Sequence, residues 1–217
     1  RSASTNGYRP LNMPEVIDTK ILAQKEDWIW NKWVDSSSIR ATGRSKQGNA
    51  VVVYAHIPNY LATPEGLQES KSKGLVNGAG IIPETEFQRL LDLEDNTNVF
   101  VLNYDEEKNS SNEYINLRQA RKHPMLIPFI GSEERAEAYL KKHEEVQGNK
   151  IGIWHCDDLK DQPLARPLSV DLILGGDSNL NYIGRFVGVR CGVDAEGVVK
   201  NVTNFPEEVI NSLRESS

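Results

Sequence analysis

Lys150-Ile151-Gly152-Ile153-Trp154, then Leu164-Ala165-Arg166-Pro167-Leu168-Ser169-Val170-Asp171-Leu172-Ile173-Leu174, and then Gly184-Arg185-Phe186-Val187-Gly188-Val189-Arg190-Cys191 are the runs on which the fold class turns. Each reads as a strand, and no stretch of helical periodicity separates them, which is the mark of an antiparallel meander. In the middle run Leu168, Val170 and Leu172 alternate with Ser169, Asp171 and Ile173. Successive strand side chains point to opposite faces, so the first set is expected in a core and the second in solvent. Val187, Val189 and Cys191 are expected to pack inward farther on.

Working outward, residues 50–155 alternate strands and helices, as an α/β sheet would. Asn49 to Ile57 is a strand ended by Pro58. Thr63 and Pro64 supply the cap and first position of a helix running through Lys73, closed by Gly74. Phe87, Leu90, Leu91 and Leu93 mark the apolar side of a second helix. Val99-Phe100-Val101-Leu102 is a strand, Tyr114 to Lys122 a short helix, and Met125 to Ile130 an apolar run broken by Pro128. Ser132 caps a helix to about Glu145, with acids in its first turn and Gly148 after its end. Toward the start, Val16 to Leu22 looks strand-like and the polar stretch Asp35 to Gly48 looks like loop. Trp28, Trp30 and Trp33 crowd one short segment and read as core or buried interface. Residues 206–214 form a short amphipathic helix. The meander and the alternation together give a mixed α+β fold, a single domain over 1–217.

Composition narrows the function. With 217 residues, 38% hydrophobic and 26% charged, the chain can bury a sizeable core without disulfide staples. The net charge is -6 and the isoelectric point about 5.3. Basic residues are scattered among acids, as where Lys141 and Lys142 precede Glu144 and Glu145, so the basic stripe of a nucleic-acid binder is missing and no direct nucleic-acid partner is expected. No apolar run approaches the roughly 20 residues of a membrane span. Cys156 and Cys191 are too few for a disulfide scaffold or a four-cysteine zinc site, and free thiols are the expectation. The sequence starts at Arg1 without Met or an apolar leader, as a trimmed chain would. It does not name a compartment; an intracellular protein and one displayed on a cell or virus surface both fit.

Polar residues at strand ends offer candidate chemistry. His56, Asp105, His155, Asp157, Asp158 and Asp177 are ligand types a metal-assisted hydrolase would use, although none of them has the spacing of a recognised metal motif. His123 precedes Pro124 and reads as structural. His155 beside Cys156 suggests an activated thiolate, but adjacent strand residues face opposite ways. No Gly-x-Ser-x-Gly elbow is present. Gly78-Ala79-Gly80 precedes the second helix and lacks the lysine of a phosphate loop, so it reads as a plain turn.

The tail also carries a resemblance. Leu164-Ala165-Arg166-Pro167-Leu168, a polar stretch, and then Gly184-Arg185-Phe186-Val187-Gly188-Val189-Arg190-Cys191 resembles the end of C-type lectin-fold proteins of the formylglycine-generating-enzyme-like branch. Ile82-Pro83-Glu84-Thr85-Glu86-Phe87 is similar to that branch's helix start, with Glu84 interrupting the usual Pro-Thr, and Trp154 fits as well. Within the branch, the likeness is to the variable proteins of diversity-generating retroelements. The resemblance implies a C-type lectin-like fold with two helices, a small antiparallel sheet and an inserted segment at 97–147. It also implies a ligand-binding surface, facing a protein or other surface ligand, diversified within 155–190. His155, Asp157, Ser169, Asp171, Ile173, Asp177, Ser178, Asn179, Asn181, Tyr182 and Ile183 are the residues it assigns to that surface. From Ser169 onward, each of these is reachable from an asparagine codon by changing adenines. Trp154 with Arg185 or Arg190 would fix the framework. The calcium and sugar signatures of true C-type lectins are missing, and Asp161-Gln162-Pro163 is only a fragment of one. No cofactor and no catalysis are expected; a metal-assisted hydrolase using His56, His155, Asp157 and Asp177, or an oxidase of the formylglycine-generating type, is the alternative.

Overall fold

The computed structural model describes residues 8–156, 159–181 and 188–190. Tyr8–Pro10 forms β1. Next comes α1, Met13–Leu22, where a strand is expected from Val16 onward. The helix wins because its start is strongly specified: Asn12 accepts from the Glu15 amide while the Glu15 side chain accepts from the Asn12 amide, and Pro14 fits the first turn. A single 3-10 turn, Trp28–Trp30, buries Trp30 completely and leaves Trp28 and Trp33 half-buried.

β2, Val34–Arg44, is the longest strand and replaces the loop expected from Asp35 onward. Its polar residues misled the reading because they are buried with partners. Ser36 Oγ donates to the Leu168 carbonyl at 3.0 Å, and Ser38 Oγ takes the Met13 amide at 2.8 Å and lies 2.9 Å from His56 Nδ1. Such pairing removes the cost of burying polar groups. β3, Ala50–Ala55, pairs antiparallel with it. α2, Pro64–Ser72, begins at the Thr63 cap as expected. Then come β4, Gly80–Ile81, and α3, Glu84–Asp92.

The segment 97–147 is built into the body of the fold. It contributes β5, Val99–Asn103, and α4, Tyr104–Lys108. The expected helix from Tyr114 divides into β6, Tyr114–Asn116, and α5, Leu117–Ala120, because Asn116 forms its own capping box with Gln119. The Pro-interrupted run is a helix after all, α6, Leu126–Ile130: Pro128 lies in its first turn, where an amide donor is not needed. α7, Glu133–Gln147, follows the Ser132 cap.

In the tail, β7 is Lys150–His155, β8 is Leu164–Val170, β9 is Ile173–Gly176 and β10 is Gly188–Arg190. The middle run is thus two strands joined at Asp171 and Leu172. The tail is not a simple antiparallel meander, since β9 pairs antiparallel with β8 but parallel with β7. One sheet runs β5-β3-β2-β8-β9-β7-β6, with β4 against β8, while β1 and β10 pair separately. The α+β class stands, and the sheet is enlarged by the two strands from 97–147.

Two cores flank the sheet. α1, α6 and α7 cover one face through Met13, Ile17, Phe129, Tyr139 and Leu140, packed with Ile151, Ile153, Val170 and Leu174. α3 and Leu61 close the other face over Ile39, Ala41 and Val53 through Phe87 and Leu90. Among the described residues, no helix is long and apolar enough to cross a membrane.

Candidate functional site

The polar end of the sheet is organised by two arginines that are almost wholly buried, Arg40 on β2 and Arg166 on β8, at 2% and 1% exposure. They sit opposite each other in the β2–β8 register. Arg166 spreads its guanidinium between two loops: Nη1 donates to the carbonyls of Asp177 (3.2 Å) and Ser178 (2.9 Å), and Nη2 to that of Asn77 (2.7 Å). Arg40 donates to the Cys156 carbonyl at 2.9 Å and to both oxygens of Glu107, which also accepts from the Tyr54 hydroxyl. Burial alone would push the Glu107 carboxyl up, but the Arg40 charge and these hydrogen bonds hold it below its usual range. Burial, reinforced by the Glu107 charge, keeps the Tyr54 hydroxyl protonated.

Apart from the Arg40–Glu107 pair, these grips share one property: the loops are held by their main chain. Asn112 extends it, taking the His155 amide at 3.0 Å and donating to the His155 carbonyl at 3.1 Å. The turn at Asn77-Gly78 extends it again, since the Leu180 amide donates to the Gly78 carbonyl at 2.9 Å. Gly78 has φ +85, and a Cβ there would lie 2.3 Å from the Asn179 side chain. The glycine turn is therefore a seat for the 177–181 loop.

The outer face of β6, β7 and β9 lies beside this loop. Tyr114, Gly152 and Ile173 share one row across the three strands, and Trp154 pairs with Gly175 in the next. Tyr114 is 53% exposed and meets Trp154 edge to face at 5.3 Å. Trp33 lies over Gly175, where an added Cβ would come within 3.2 Å of its ring. The opposite face of the same strands carries Ile115, Ile151, Ile153 and Leu174 into the core. Three aromatics on a glycine-floored face, next to the loop, suit a rigid contact surface.

The residues assigned to the ligand surface divide. Ile173, Asn179 and Asn181 are half-buried or exposed around this face. Ser169 departs from the alternation reading: it is fully buried, its Oγ 2.6 Å from Ser178 Oγ, because the 177–181 loop folds over it. Leu172, expected in the core with Leu168 and Val170, is 38% exposed because it sits in the turn between strands. Ser178, in that loop, is buried against Ser169. Asp171 and Asp177 are half-buried, and each has one carboxylate oxygen, Oδ1, turned inward with no hydrogen-bond partner among the described residues. Burial raises the Asp177 carboxyl above its usual range against the pull of Arg166, Arg40 and His155. His155 is buried beside Ser110 Oγ at 3.3 Å. Asp157, Asp158, Tyr182, Ile183, Arg185 and Cys191, and the 206–214 helix, lie outside the described residues.

Of the described hydrolase candidates, His155 and Asp177 lie near each other at this end of the sheet, while His56 and Asp105 are engaged elsewhere. Both His56 ring nitrogens are engaged, by Ser38 Oγ and the Pro128 carbonyl, and burial lowers its pKa to about 4. Asp105 sits exposed in the first turn of α4. Among the described residues, no group of three or more His, Cys, Asp or Glu side chains is arranged to hold a metal.

No protein-family model matches this chain, and no curated protein does. A solved structure does: it shows the accommodation of massive sequence variation in Nanoarchaeota by the C-type lectin fold, and it is 52% identical over 85% of this chain and 88% of that one, with a TM-score of 0.78. The chain belongs to that C-type lectin-fold family. Within this lectin fold, Arg40, Arg166, Glu107, Asn112 and Tyr114 are residues whose place at this site sequence reasoning missed. The clue was present in Ser38-Ile39-Arg40-Ala41-Thr42, whose period of two marks a strand with one polar face.

Proposed function

We propose that this protein is a non-catalytic binding module whose surface within 155–190 is diversified by a retroelement to fit a protein ligand. One observation carries the reading: Arg40, Arg166, Asn112 and Gly78 hold the loops of that surface through main-chain atoms. A main-chain grip is indifferent to the side chain it carries, so composition can change while backbone geometry stays. Trp33, Tyr114 and Trp154 would supply the constant aromatic anchors, and Ile173, Asn179 and Asn181 the variable contacts. The segment 97–147 would be the insertion that adds Tyr114 and Asn112 to the face.

The test is to read this coding segment from many cells of one population. Substitutions clustered at adenines, falling on Ile173, Asn179 and Asn181 and sparing Arg40, Arg166 and Trp154, are expected. An invariant segment with no template repeat nearby would end the diversification reading. A binding selection from a library randomised at those three positions then asks separately whether the face binds proteins.

A further inference from the structure

Lys20 is wholly buried in the last turn of α1, where a cation ordinarily serves the free carbonyls of its own helix. Both carbonyls it reaches lie outside α1. The ammonium donates to Ile29 at 2.7 Å and to Asp171, 151 residues along the chain, at 3.3 Å. It lies 4.9 Å over the Trp30 ring, which is backed by Tyr139 and His143 of α7. Asp171 and Leu172 make the turn between β8 and β9. This turn borders the aromatic face: Leu172 is exposed, its carbonyl takes the Gly152 amide, and Ile173 follows in the row of Tyr114 and Gly152.

We infer that Lys20 is a positioning residue of the binding surface: through the Asp171 carbonyl it fixes the β8–β9 turn from inside, whatever side chain position 171 carries. This role rests on the binding face proposed above. It extends main-chain support to a turn that Arg40, Arg166 and Asn112 do not reach, and it differs from theirs because an ammonium can lose its proton near neutral pH and a guanidinium cannot.

Burial lowers the Lys20 pKa to about 8 from an ordinary 10.5, with the Asp171 carboxylate opposing. Its titratable neighbours on α7 are neutral in that range, since burial lowers His143 and raises Tyr139. Between the two values the unfolded chain holds the Lys20 proton more tightly than the fold does, so the buried charge weakens the fold as a whole. A long apolar side chain would serve the core better. What the ammonium adds is the placement of the two carbonyls.

Hydrogen exchange with mass spectrometry on the whole chain tests this. In Lys20→Met at pH 7, exchange across 170–174 should rise about tenfold, while 177–181, held by Arg166, stays within about twofold of wild type. No rise, or a rise confined to 28–31 beside Ile29, would overturn the inference. The wild type answers without any substitution. With exchange divided by the intrinsic rate at each pH, 170–174 should loosen about threefold between pH 7 and 9 as Lys20 loses its proton, with 177–181 level. Equal behaviour of the two segments would overturn the inference. Asp171→Asn should move that midpoint to lower pH, because the carboxylate supports the ammonium, and should keep wild-type protection within about twofold at pH 6. Protection lost at pH 6 would show that the turn depends on the carboxylate, against a main-chain hold. None of these readouts depends on whether the surface is diversified, which the population sequences decide.

Discussion

Arg166→Met separates a framework that holds the loops from one that merely sits beneath them. Methionine keeps most of the buried volume and removes the three donations to Asn77, Asp177 and Ser178. An unsatisfied buried group costs about 1–3 kcal/mol, so three stranded carbonyls would reach roughly 3–9 kcal/mol if nothing relaxed. Loop movement and relief from burying a charge offset part of this, leaving a net loss of about 3 kcal/mol. For a chain of this size, that lowers the melting temperature by about 6–12 °C. The loss is also local: amide exchange in 76–79 and 177–181 should rise about 100-fold, since each 1.4 kcal/mol is tenfold. Hydrogen exchange with mass spectrometry reads both segments, and a thermal melt reads the whole. Arg166→Lys should fall between, because one ammonium cannot span both loops as the planar fork does. Asn181→Ser, at an exposed position, should change the melt by no more than about 2 °C. If Arg166→Met leaves exchange in both segments unchanged, the main-chain grip is not what holds them.

Other outcomes follow from the same geometry. Glu107→Gln strands the Arg40 charge and should cost about 3–5 kcal/mol at pH 7 by chemical denaturation, with much of it recovered in Arg40→Met/Glu107→Leu. The folded Glu107 carboxyl lies below its ordinary 4.5, so its contribution is complete above that pH and fades as acid is added; the gap between wild type and Glu107→Gln should narrow below about pH 4.5. His56 is held near 4 against an ordinary 6.5, so the unfolded chain takes up its proton first, and stability should fall by about 3 kcal/mol between those values. His56→Gln should flatten the profile in that window, and an unchanged profile would count against the burial argument. Gly152→Ala would place a Cβ 2.3 Å from Ile173 Cγ2 and should cost about 1–3 kcal/mol by overpacking; pairing it with Ile173→Ser should restore most of that in a double-mutant cycle.

The elements legible in the sequence were those specified locally. Thr63-Pro64 and Ser132 wrote helix starts into a few residues, and the Ala50 to Ala55 run could only be a strand. β2 escaped because its local signal, the period of two in Ser38 to Thr42, is short and its polar face finds partners only in the folded chain, where Ser36, Ser38 and Arg40 meet Leu168, His56 and Glu107. The site divided the same way. Motif order in the tail led to the right family, whereas Ser169 was placed outward by a period-two rule that does not see the loop folding back over it. Tyr114 went unnoticed because it belongs to a three-residue edge strand whose neighbours exist only in the assembled sheet.

The pairing of β1 with β10 bears on what kind of change this surface can absorb. Tyr8, Arg9 and Pro10 align with Arg190, Val189 and Gly188, and upstream Gly152 to His155 align with Ile173 to Gly176. The chain between Gly176 and Gly188 is therefore tethered at both ends to strands whose side chains would swap faces if either slipped by one residue. A substitution inside β7, β9, β1 or β10 leaves both registers in place, whereas a codon gained or lost within one of these strands would turn its later side chains to the opposite face.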